Sequence, residues 1–197
     1  MMLRIGGFGA LFGGVLWFLG LAVASQPGGT DGPWIVVEAI GTFGLLLALT
    51  GLSAFQARRD PLLTWAAFAI PAIGSLASVT GLAAMALSPS EDQLIVGSLS
   101  AWYVWIFGLL AMLIGSILFA AVTIRAAVLS RRAAQALAIS AVVVLLVALA
   151  GSGTGTDTIT GLGQVIVAAS LGAFASSWIA LGITALRRGP IRAIAPA

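Results

Sequence analysis

Glu38 is the one ionisable residue placed well inside an apolar stretch of this chain. A carboxyl group in such a setting is a candidate for handling an ion or a proton, because a charge in hydrocarbon is costly and persists where something offsets it. The residues that usually extend such chemistry are missing: there is no histidine and no cysteine, and all nine basic residues are arginine. Without histidine, cysteine or lysine there is no imidazole general base, no thiolate metal ligand and no side-chain amine for a Schiff base. Zinc and diiron chemistry lack their ligands and a serine hydrolase lacks its base. A membrane aspartyl protease needs two embedded aspartates, whereas Asp157 falls in a loop sequence. The chain therefore reads as a non-enzyme with no metal and no cofactor.

Glu38 lies about five residues, roughly 7 Å of helix, in from Pro33. Gly41 and Thr42 share its helical face, which suits a side turned toward a bundle. At a similar depth Tyr103 and Gln164 offer hydrogen bonds, so Glu38, Tyr103 and Gln164 make up the candidate ligand- or ion-binding set. Every arginine lies toward the opposite end. The carboxyl group is thus solvated at headgroup level, carried as the neutral acid, or matched by a cation or an outside partner. Pro71 removes a backbone donor from another apolar stretch and predicts a kink there. The run GSGTGTDT has the glycines of a phosphate cradle but follows no strand and lacks the lysine of a P-loop, so it reads as a turn.

The elements that must hold these residues follow from composition. Of 197 residues, 60% are hydrophobic and 8% charged, and the mean hydropathy is +1.15. A water-soluble fold would carry roughly 25% charge. About 20 apolar residues cross about 30 Å of hydrocarbon as a helix. Six stretches qualify, over 5–24, 33–56, 62–88, 94–124, 133–150 and 162–186. Their continuous apolar text excludes barrel strands, which alternate. The expectation is an all-α, polytopic transmembrane bundle of six helices in one domain over 1–197, with short loops. The fourth stretch is too long for one upright span, so it tilts or begins with an interfacial segment near Ser98 and Ser100.

Orientation comes from the arginines, since cytoplasmic loops retain basic residues. Arg4, Arg58, Arg59, Arg125, Arg131, Arg132, Arg187, Arg188 and Arg192 all fall on one side of the six-span scheme, and Asp31, Glu91, Asp92 and Asp157 on the other. Both termini are then cytoplasmic in a multi-pass protein of an inner membrane. The same placement explains the basic charge through anionic headgroups, without nucleic acid. Arg4, the apolar run and Ala22-Val23-Ala24 also resemble a secretory signal, whose removal would leave five spans.

Small residues at four-residue spacing permit close helix approach. Gly9 and Gly13, Gly74 and Ser78, Ala111 and Gly115 follow this rule, and Ala168, Gly172, Ser176 and Ala180 form a longer ladder. Gly44, Gly108 and Gly172 stand 64 residues apart on the second, fourth and sixth stretches, which raises a triplicated helical hairpin. The packing set is therefore Gly9, Gly13, Gly44, Gly108, Gly115, Gly172 and Ser176, serving the bundle itself or a homo-oligomer. Trp34, Trp102, Tyr103 and Trp105 mark one aromatic belt and Trp65 the other. Trp178 falls deeper, where packing is its expected role.

GSILFAAVTIRAAVLSRRAAQALAIS, from Gly115, resembles a recurrent pattern in uncharacterised multi-helix integral membrane proteins of GC-rich bacteria. The first stretch and GLSAFQARRD add to the likeness. That group often carries Pro-Arg-Trp where this chain has Ser130, Arg131 and Arg132 after Leu129. The resemblance implies a bacterial membrane setting and no activity. The expected function is a non-catalytic membrane component associating with membrane lipids, other membrane subunits or a second copy. The alternative is a small permease or substrate-binding subunit with a cavity near Glu38, drawing on Pro71, Ser98, Ser100, Tyr103 and Gln164.

Overall fold

The computed structural model describes residues 1–24, 33–87, 94–96, 99–152 and 161–187. Six helices carry nearly all of it: α1 (Met2–Ala24), α2 (Trp34–Gln56), α3 (Pro61–Leu87), α4 (Ala101–Ala126), α5 (Arg131–Ser152) and α6 (Gly161–Arg187). Each is long and apolar enough to cross a membrane. The fourth apolar stretch is not one helix. Leu94–Val96 (β1) and Leu99–Ser100 (β2) pair as a small antiparallel ribbon, and α4 begins only at Ala101. The helix thus starts seven residues into the apolar stretch, after a separate segment of the kind expected near Ser98 and Ser100: Ile95 and Val96 are β-branched and suit a strand, and Ser100 has extended backbone angles where the helix starts. Ser98 and the runs SQPGGTDG, SPSED and GTGTDTIT lie outside the described residues.

The two connections at the arginine-bearing end show why the helices turn there. Asp60 caps α3 by accepting the amide of Leu63 at 3.2 Å, and Pro61 follows at the first helical position, where no amide donor is needed. α4 ends on Ala127, a non-glycine residue at φ 53° whose amide reaches Thr123 O at 3.1 Å. Ser130 then caps α5, its Oγ accepting the Ala133 amide at 3.3 Å.

Consecutive helices pack side by side, and α6 returns to α1, so the six close into a ring. Lipid tails are as apolar as leucine, so packing rather than exclusion from water must hold such helices together. Glycine seams supply it. A Cβ on Gly13 would fall 2.6 Å from the Gly44 carbonyl carbon, and one on Gly9 2.8 Å from Gly44 O. On its other side α1 meets α6, where a Cβ on Gly182 would lie 2.6 Å from Gly7 O. Gly108 lies against the Gly74 carbonyl, and Gly115 seats the ring of Pro71. α3 continues through Pro71 as helix. Large side chains are enclosed among the helices, Trp17, Phe119, Phe174 and Trp178 among them. Trp17 meets Phe174 edge-on at 5.3 Å and Phe119 stacks on Trp178 at 5.6 Å.

The third hairpin is built differently. Gly172 faces α1, with the ring of Phe18 at ordinary contact distance, 3.4 Å. Ser176 is exposed on the outward side of α6 and lines no seam within the bundle. α5 and α6 instead meet through Ser140 and Ser177, whose hydroxyls lie 3.3 Å apart. The 64-residue spacing therefore places Gly44 and Gly108 alike, each against its hairpin partner, and Gly172 otherwise.

Candidate functional site

Glu38 is 1% exposed, enclosed between helices near the end of the bundle away from the described arginines. Gly20 of α1 makes room for it: a Cβ there would lie 2.5 Å from the Glu38 amide nitrogen. Thr42 donates its hydroxyl to the Glu38 carbonyl at 2.9 Å, so its polarity is used within α2. The partner of the carboxyl group is Trp105, whose Nε1–H donates to Glu38 Oε1 at 2.9 Å. α3 fixes that tryptophan in turn. A Cβ on Gly81 would meet the Trp105 backbone nitrogen at 2.6 Å, and Ser78 Oγ donates to Trp105 O at 3.3 Å. Four helices thus converge on one carboxyl–indole pair.

The sequence pointed to other companions. Tyr103 is 50% exposed and packs against Trp102 and Phe107 on the outer surface of α4. Gln164 is exposed on α6. Neither is brought to Glu38. Trp105 was legible only as part of an aromatic belt. The signal that separates it is its position: it lies two residues past Tyr103, about 200° around the helix, and so faces inward where Tyr103 faces out.

A second polar tie joins the same helices at the arginine-bearing end. Gln56 Nε2 donates to Thr123 Oγ1 at 2.6 Å, and Arg59 Nη1 donates to Ala126 O at 2.6 Å. Glu38–Trp105, Gln56–Thr123 and Arg59–Ala126 are all 67 residues apart. A constant offset means that α2 and α4 run parallel and level with each other. From Glu38 to Gln56 is roughly 27 Å of helix, close to the thickness of the hydrocarbon layer. The two ties therefore bracket the apolar middle. Ser53 Oγ, Gln56 Oε1, Thr64 Oγ1 and Trp178 Nε1 are buried without a hydrogen-bond partner.

Chemically, Glu38 is an internal hydrogen-bond acceptor seated on a backbone contact. Among the described residues no three acidic side chains come together as a metal site would require. Six apolar helices of spanning length, with large side chains enclosed among them, define a polytopic helical membrane bundle. No protein-family model, no curated protein and no solved structure matches this chain.

Proposed function

We propose that this chain is a non-catalytic component of a bacterial inner membrane that associates with lipids and with other membrane helices. Both termini are cytoplasmic in this reading, with the arginine-bearing end at the cytoplasmic face. α1 is a retained span in this reading, which its packing against both α2 and α6 supports. The observation that carries the proposal is the use made of Glu38: the one embedded carboxyl group serves a contact between α2 and α4 through its bond to the Trp105 indole, and large aromatic side chains are enclosed among the helices. A permease needs embedded polar groups that face a passage, and the other two candidates, Tyr103 and Gln164, face outward.

The test is purification of the full chain in native lipid particles, followed by identification of what travels with it. A protein partner at fixed stoichiometry or a defined set of lipids is the expected outcome. A retained small solute whose retention is lost in Glu38→Gln would overturn the proposal in favour of a permease or substrate-binding subunit.

A further inference from the structure

The seam between α3 and α4 closes tightly where Gly115 seats Pro71 and opens on the arginine-bearing side of that contact. Two adjoining cavities occupy the opening. One, of about 460 Å³, is lined by apolar residues including Leu63, Ala66, Ile70, Leu118 and Ala121. The other, of about 320 Å³, is lined by Arg59, Asp60 and Arg125 with the ends of the two helices. Leu63, Val122 and Arg125 border both, so the two form one groove with a charged end and an apolar end. Ala66 and Ala121 are exposed, and their small size leaves a channel between the larger Ile70 and Leu118.

We propose that this groove holds one anionic phospholipid, with its phosphate between Arg59 and Arg125 and an acyl chain along α3 and α4. Charge and length both fit that occupant. The guanidinium of Arg59 is fixed at the end of α4 by its bond to Ala126 O, which uses one of five N–H donors. Arginine offers phosphate paired donors at the depth where headgroups lie. The carboxylate of Asp60 accepts the α3 amide of Leu63, which engages one of its oxygens away from competition with a phosphate for the guanidinium groups. From Asp60 to Ile70 the groove runs about 15 Å, half the hydrocarbon thickness and thus the depth of one leaflet's chain.

The inference rests on the membrane-component reading above, and its test is separate from the search for protein partners. The full chain in mild detergent is offered phosphatidylglycerol or phosphatidylcholine with identical acyl chains, and bound lipid is counted by native mass spectrometry. Phosphatidylglycerol should be retained preferentially, and Arg125→Gln should cut its retention about fivefold, the effect of one arginine near an anionic headgroup. The double variant Ala66→Leu with Ala121→Leu, which keeps every charge, should also lose the lipid by filling the channel. Arg131→Gln with Arg132→Gln, outside the groove on α5, should leave it bound. Equal retention of the two lipids, an equal loss in the α5 variant, or full retention when the channel is filled would each overturn the proposal.

Discussion

Glu38 Oε1 and Trp105 Nε1 meet at 2.9 Å with the carboxyl group shut away from both lipid and water. Removing the donor leaves a buried acceptor short of a partner, a cost of about 1–2 kcal/mol in a helical membrane protein. Trp105→Phe should therefore lower the unfolding midpoint in a detergent denaturation series. Glu38→Gln, which can still present an oxygen to the indole, should stay within about 0.5 kcal/mol of the parent. If Glu38→Gln proved the more damaging of the two, the carboxyl group would be serving something other than this contact. A residue-scale effect of opposite sign is expected at Ala127. Its φ of 53° lies in the left-handed region, which disfavours a side chain. Ala127→Gly should stabilise the bundle by about 0.5–1 kcal/mol, after the larger entropy of the unfolded glycine chain is set against the strain relieved. Unchanged stability in the same denaturation series would argue that the αL cap carries no strain.

Pairs of helices differ in how much their seams tolerate. Between α1 and α2 the glycines face backbone: a Cβ at position 13 would come within 2.6 Å of Leu45 N, and main chain has no rotamer to yield. Gly13→Val should push α1 off α2 and destabilise the protein by about 3 kcal/mol or more, seen as loss of the folded, monodisperse fraction on purification. Gly172→Ala meets only the Phe18 ring at 3.4 Å and should be neutral or slightly stabilising, since alanine favours helix by up to about 1 kcal/mol over glycine. The matching spacing of Gly44, Gly108 and Gly172 conceals this difference. What a glycine does in a bundle depends on what stands across the seam, and a count along the chain holds no record of that. The start of α4, by contrast, was partly legible: Ser98 and Ser100 interrupt the apolar stretch from Leu94, and the helix begins at Ala101, after Leu94–Val96 has paired with Leu99–Ser100.

At the scale of the whole molecule, an even number of spans puts all described arginines at one end and Glu38 at the other. Reporter fusions after Arg58 and after Asp157 should accordingly give opposite sidedness in intact cells, with Arg58 inside. Equal signals from the two would mean that a span is missing or that the arginine rule fails here. The number, length and rough ends of the helices were legible because a bilayer sets them locally: about 20 apolar residues satisfy their own backbone and cross the hydrocarbon whatever lies beside them. Which side of each helix turns inward was not legible in the same way. In lipid both the inner and outer faces are largely apolar, so a few small and polar residues such as Gly41 and Thr42 hint at the buried face, and the choice of partner falls to the fit between residues far apart in the chain. Composition alone therefore determined six spanning helices with one embedded carboxyl group and no histidine or cysteine. Only tertiary packing decided that α6 closes on α1, that Glu38 meets Trp105 rather than Tyr103 or Gln164, and that a charged, one-chain-deep groove opens between α3 and α4. Those outcomes depend on backbone approaches set by glycine against glycine and ring against glycine, interactions of shape that no single segment contains.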